Sequence, residues 1–135
     1  MLLSIIIPVY NRPYEVDELL SSLKRQSFTD YEVIIIEDGS VFTSVDIVEK
    51  YREDLPLRYL AIPNGGPSRA RNIGAKEAQG DYLLILDSDV VLPPSYLNAV
   101  ADGIAQTGAD AFGGPDAASP DFSPMQKAVN FAMTS

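Results

Sequence analysis

The 135-residue chain contains no cysteine and no histidine. The first absence excludes disulfides and thiolate metal sites. With histidine missing as well, any metal held by side chains must be met by oxygen, which selects a hard divalent cation such as Mg²⁺ or Mn²⁺. Positive charge is scarce too, with 10 Lys and Arg against 19 Asp and Glu, a net charge of −9. That balance argues against nucleic acid or an anionic lipid surface as a partner. A phosphate-bearing ligand would need a cation between its oxygens and the carboxylates of so acidic a protein. Long apolar runs are lacking, so no stretch could span a bilayer. Met1 to Val9 has no basic leader and ends at Pro8, which reads as a first strand and not as a signal peptide. There is no internal repeat and no low-complexity tract.

What is present is ordinary for one folded unit: 46% hydrophobic and 21% charged residues, in a chain long enough for a core. The stretch that organises it runs from Asp81 to Leu92. Its four aliphatics, Leu83 to Leu86, follow Gly80 and read as a strand buried on both faces in the middle of a parallel sheet. Such a strand carries no charge within it, so Asp87 and Asp89 belong at its carboxyl end, where open α/β sheets bind ligands. Alternation places Ser88 opposite its two neighbours. Asp87 and Asp89 are therefore the candidate metal ligands.

The remaining elements alternate. Ser4 to Val9 is the first strand, and Tyr14 to Gln26 a helix with Val16, Leu19, Leu20 and Leu23 on one face. Tyr31 to Glu37 gives a second strand, ending in Glu37-Asp38-Gly39-Ser40, and Ser44 to Arg52 a short helix. Leu57 to Ile62 is a third strand, followed by the loop Pro63 to Pro67. Ser68 is the expected N-cap of a helix through Ala78 whose first turns carry Arg69, Arg71 and Asn72. After the organising strand come a helix over about Pro94 to Gln106, a short strand Ala109 to Phe112, and a final helix from Ser123 in which Met125, Ala128, Val129 and Ala132 keep helical spacing. Alternation of this kind means βαβ units and a mostly parallel sheet, hence an α/β, Rossmann-like three-layer fold.

Ligand class follows partly by exclusion. After the first strand there is neither G-x-G-x-x-G nor a P-loop, and no acid to begin a receiver-domain pocket. The strand ends do offer Asp38 as acceptor for a base N–H, the Asn64/Gly65 loop, Arg71 as a phosphate partner, and the Asp87/Asp89 pair. Together they suit a nucleoside diphosphate. Tyr10 is expected to pack against the first helix.

Pro8-Val9-Tyr10-Asn11, Glu37-Asp38-Gly39-Ser40, Asn64 to Asn72 and Leu86-Asp87-Ser88-Asp89 together resemble, in order, the motifs of the inverting GT-A glycosyltransferases of family 2. The resemblance implies a GT-A fold and transfer of a sugar from a nucleotide-diphosphate donor, a UDP-sugar, to a hydroxyl of a saccharide or lipid-linked acceptor. It implies that Pro8, Val9 and Tyr10 line the base and Asp38 holds the uracil. Asn64, Gly65, Arg71, Asp87 and Ser88 would complete the nucleotide site, with Asp89 beside Asp87 on Mn²⁺ or Mg²⁺. The chain would be the donor-binding part of such a domain, 1–135, lacking the acceptor-binding half. Phe131 to Ser135 still follow the apolar helix pattern, so the ending reads as a cut. The family's base lies well downstream of the D-x-D and is therefore expected beyond Ser135; none of Asp110, Asp116 and Asp121 is assigned to it. The expected setting is cytoplasmic, with attachment of a longer parent chain to the inner face of a membrane left open. Two other readings stand beside this one: a nucleotide-binding module without transferase activity, and a sugar-phosphate nucleotidyltransferase. The latter wants a Gly-rich loop with Arg or Lys after the first strand, which is absent.

Overall fold

Leu3 to Val9 and Tyr31 to Asp38, each built on a run of β-branched aliphatics and buried over nearly its whole length, form adjacent central strands, β1 (Leu3–Val9) and β2 (Tyr31–Asp38). A computed structural model describes residues 1–107 and the backbone of 129–133. The other elements are α1 (Pro13–Lys24), α2 (Val45–Tyr51), β3 (Leu57–Ile62), α3 (Pro67–Glu77), β4 (Tyr82–Leu86), α4 (Tyr96–Thr107) and β5 (Val129–Met133). The strand order is β3-β2-β1-β4-β5. Pairings among β1 to β4 are parallel, and β5 runs antiparallel to β4. The expected α/β fold with a mostly parallel sheet is therefore present.

Alternate residues of the central strands face two cores, because side chains on a strand point to opposite sides in turn. Leu3, Ile5, Ile7 and Val9 of β1 pack with Val33 and Ile35 of β2 beneath α1, α2 and α4. Ile6, Ile34 and Ile36 pack on the other face beneath α3. The small face of α3 lets it lie close: a Cβ on Gly74 would stand 2.5 Å from Ile6 Cγ2. Each buried aliphatic of this kind contributes about 1.5–3 kcal/mol. They decide which face of each helix turns inward: Val16, Leu19, Leu20 and Leu23 in α1, and Tyr96, Leu97, Val100 and Ile104 in α4.

Three expectations need correction. The organising strand, β4 over Tyr82–Leu86, ends before Asp87 as expected, but it is not buried on both faces in the middle of a parallel sheet: β1 holds the middle, β4 lies between parallel β1 and antiparallel β5, and Tyr82 and Ile85 are half-buried. Apolarity alone does not rank strands within a sheet; Val90 and Leu92 pack into the core as loop, Leu92 N–H donating to Ser22 Oγ at 3.0 Å. Ser68 is not the N-cap of α3. Gly66, with φ of 94°, holds that position and Pro67 opens the helix, the place where a missing N–H costs nothing. Val129 to Met133 is not helical: it is β5, satisfying the free edge of β4 from Tyr82↔Met133 to Leu86↔Val129. The helix pattern extended to Ser135 therefore fails over the part of it that is described, because a strand edge needed a partner there. The expected strand at Ala109 to Phe112, the helix start at Ser123 and Ser135 itself lie outside the described residues.

At the amino edge of the sheet a buried polar knot ties β1, β2 and the α3–β4 turn. Ser4 Oγ donates to Glu32 Oε2 at 2.6 Å and accepts from Gly80 N–H at 2.8 Å; Gln79 N–H and Arg58 also donate to Glu32. Burial pushes the Glu32 carboxyl up, but the Ser4, Gln79 and Arg58 donors outweigh it and hold it below the ordinary glutamate value. A carboxyl lowered on folding stabilises the native state above its unfolded pKa, 4.5 here, and loses that contribution as the pH falls through the folded value. Acid unfolding followed by circular dichroism should thus shift less steeply in Glu32→Gln than in wild type below that point. Equal acid profiles would mean that Glu32 carries no pH-dependent stability.

Candidate donor-binding crevice

The β1–β2 ladder runs the full length of β1, Leu3↔Tyr31 to Val9↔Glu37, whereas β1 and β4 pair only from Leu3↔Tyr82 to Ile6↔Ile85. Beyond Ile6 the two strands no longer pair, and a crevice opens at their carboxyl ends, where α/β sheets bind ligands. Pro8 sits just past the last β4 partner, where its missing N–H leaves no gap in the ladder to β4. A cavity of about 400 Å³ occupies the fork.

Four separate elements line it. From β1 and its loop come Pro8, Val9, Tyr10 and Arg12; from β2, Asp38; from the loop into α3 and its first turns, Asn64, Gly66, Pro67 and Arg71; from the tip of β4, Asp87, Ser88 and Asp89. Every expected site residue except Gly65 is in this lining; the base expected beyond Ser135 has no counterpart to be placed. Gly65 serves the site from behind: its N–H donates to Asp38 Oδ1 at 2.9 Å, Gly66 N–H donates to Oδ2 at 3.1 Å, and Asn64 Nδ2 donates to the Asp38 carbonyl at 3.0 Å. Asp38, almost wholly buried, is thus more than a turn former, because it fastens the 64–66 loop while its carboxylate retains lone pairs toward the cavity. Arg69 braces the same loop from the far side through Nη1 to the Pro63 carbonyl at 2.8 Å.

Tyr10 does not pack against α1; it is 52% exposed and faces the cavity. Ser88 shares the cavity with both aspartates, since Asp87 to Val90 is a turn closed by Val90 N–H to the Asp87 carbonyl at 3.3 Å, and strand alternation no longer applies. Arg12, Gly66 and Pro67 line the cavity without having been expected. Arg12 had no motif to mark it, whereas Gly66-Pro67 carried the signal of a Pro-initiated helix.

The groups facing the cavity are short of protein partners. Among the described residues, Arg71 makes no ion pair or hydrogen bond with its guanidinium, and neither the Asp87 nor the Asp89 carboxylate has a partner. Arg12 reaches only Glu15, at 3.9 Å. No group of three or more acidic residues stands close enough to cage a metal among the described residues. Two exposed carboxylates on one turn fit a Mg²⁺ or Mn²⁺ ion that keeps water and takes its other oxygens from a bound phosphate, which is how these ions are ordinarily held.

The mostly parallel α/β sheet, with Asp38, Arg71, Asp87 and Asp89 gathered at its carboxyl edge, is the GT-A fold, and the solved relatives agree. The profile described as Glycosyl transferase family 2 matches residues 4–133, and the chain belongs to that family. It is 42% identical over 93 residues to the poly(ribitol-phosphate) beta-N-acetylglucosaminyltransferase TarS of Staphylococcus aureus (strain Mu50 / ATCC 700699), covering 66% of this chain and 16% of TarS. It is 38% identical over 103 residues to the validoxylamine A glucosyltransferase of Streptomyces hygroscopicus subsp. jinggangensis (strain 5008), covering 73% and 24% of the two chains. The crystal structure of S. aureus TarS in complex with UDP-GlcNAc superposes with a TM-score of 0.78 at 36% identity, over 82% of this chain and 33% of that one. The chain thus spans a third or less of the length of these proteins. Among the described residues no helix is long and apolar enough to cross a membrane.

Proposed function

We propose that this chain is the donor-binding part of a metal-dependent, inverting glycosyltransferase that uses a UDP-sugar. The observation that carries the reading is the convergence of Asp38, Arg71, Asp87 and Asp89, from three different elements, on one cavity. Asp38 accepts the imide N–H of the uracil, with Tyr10 against the base. Arg71, free of any protein partner among the described residues, pairs with the diphosphate, where a guanidinium makes charge-assisted hydrogen bonds. Asp87 and Asp89 would hold a Mg²⁺ or Mn²⁺ ion, which when bound would supply positive charge to neutralise the diphosphate. The acceptor oxygen then bonds to the anomeric carbon from the face opposite the breaking bond to the diphosphate. Its proton passes to a carboxylate base that no residue of the crevice is assigned to provide. That TarS has been solved with UDP-GlcNAc and with UDP supports the choice of donor.

Calorimetric titration of UDP in the presence of Mn²⁺ tests the reading, with GDP as competitor. Arg71→Ala should weaken UDP about tenfold, the lower end of what a charge-assisted hydrogen bond contributes, and should leave the affinity for uridine nearly unchanged. Uridine and UDP losing affinity alike would remove Arg71 from the diphosphate.

A further inference from the structure

Glu37, next to Asp38 but on the opposite side of β2, is 1% exposed and touches no cation among the described residues. Its two oxygens serve different parts of the fold. Oε1 accepts Ser44 N–H at 2.7 Å, Ser44 Oγ–H at 2.8 Å and Tyr59 Oη–H at 2.9 Å, which binds the start of α2 and β3 to β2. Oε2 accepts one donor, the Ser40 hydroxyl. With its proton committed there, the Ser40 oxygen is left as an acceptor, and it takes Asn11 N–H at 2.8 Å. Asn11 in turn accepts Val41 N–H at 2.8 Å and Phe42 N–H at 3.0 Å on its Oδ1. The Asn11 backbone is in the left-handed region, φ 53°, which asparagine adopts more readily than other side-chain-bearing residues and which these hydrogen bonds hold in place. Tyr10 and Arg12, the residues on either side of Asn11, line the donor crevice.

We propose that Ser40, oriented by Glu37, is a positioning residue for nucleotide binding: it touches no ligand, and it fixes the left-handed Asn11 so that Tyr10 and Arg12 form a wall of the crevice. The proposal rests on the donor reading above and adds residues to it. Orientation is the reason a buried carboxylate is used. A hydroxyl free to rotate can also turn its proton toward Asn11 or solvent, whereas one that donates to Glu37 presents the lone pair alone. The division of labour between the two oxygens makes the idea testable, since the Oε1 arm can be cut without touching the crevice.

Ser40→Ala should weaken UDP binding in Mn²⁺ about fivefold to tenfold, the effect of losing the neutral hydrogen bond from Asn11 N–H to Ser40 Oγ. It should also speed amide hydrogen exchange at Asn11, Val41 and Phe42 in the ligand-free chain. Ser40→Thr, which keeps the hydroxyl, restores both. Tyr59→Phe removes a donor from Oε1 and lowers the melting temperature, yet leaves UDP affinity and the three amides as in wild type. Wild-type UDP affinity in Ser40→Ala overturns the proposal, as does an equal loss in Tyr59→Phe, or unchanged exchange at Asn11. A wild-type chain that binds no UDP would sink the donor reading instead; the two failures are distinguishable because the exchange measurement needs no ligand.

Discussion

Asp89→Ala is expected to reduce the affinity for UDP in Mn²⁺ by at least about 100-fold, to the weak level that wild type shows in EDTA. The size follows from how little the protein gives the ion. Among the described residues only Asp87 and Asp89 present partnerless carboxylates at the tip of β4, and no third acid, histidine or cysteine joins them. A site with two protein ligands has no reserve, and even the outer partners of metal ligands change affinity about 10–100-fold when removed. The substitution costs the fold little, because Asp89 is exposed and makes no hydrogen bond through its side chain among the described residues. Asp89→Asn keeps the shape and removes the charge, and should lose nearly as much. Wild-type chain binding UDP as tightly in EDTA as in Mn²⁺ would refute the metal outright, and the role of the aspartates with it.

Those two aspartates were legible in the sequence because their signal is local: an apolar run, then acids within three residues of its end. The crevice they share with Asp38 and Arg71 was legible for a related reason. In a parallel sheet every strand end faces the same edge, so the ends of three strands and the helix that follows the third must come together. Features that depend on pairing between distant segments were not legible. Val129-Asn130-Phe131-Ala132-Met133 is a five-residue, mostly apolar run, too short for periodicity to separate helix from strand, and only the open edge of β4 makes it β5. Glu37 shows the same limit on the polar side. Its sequence position marks a strand end and nothing more, whereas its partners Ser44 and Tyr59 reach it from α2 and β3. Tyr10 escapes a reading by apolar pattern because the left-handed Asn11 turns the chain before α1 begins, leaving the ring over the crevice and not against the helix.

Gly39→Ala is expected to destabilise the chain by about 2–4 kcal/mol and to cost UDP affinity at the same time. Gly39 has a φ of 69°, and a Cβ there would stand 2.5 Å from Asn64 N, 2.8 Å from Asn64 Cβ and 2.9 Å from Asn64 Cα. Two of those three atoms are backbone, so the loop has to move. Left-handed strain in a non-glycine residue accounts for about 1 kcal/mol or more. Displacing Asn64 then pulls its Nδ2 from the Asp38 carbonyl, and the Gly65 and Gly66 N–H groups from the Asp38 carboxylate, at about 1 kcal/mol for each bond lost. The loss reaches function because the acceptor meant for the base is the same carboxylate. Gly66→Ala separates strain from collision: its φ is 94°, but nothing lies within 4 Å of the added carbon. Urea unfolding should therefore rank wild type above Gly66→Ala and Gly66→Ala above Gly39→Ala, with UDP affinity falling most in the last. Equal stability of the two variants would mean that the Asp38 and Asn64 loops are not held against each other, and that Asp38 faces the nucleotide without the support that the 64–66 backbone gives it.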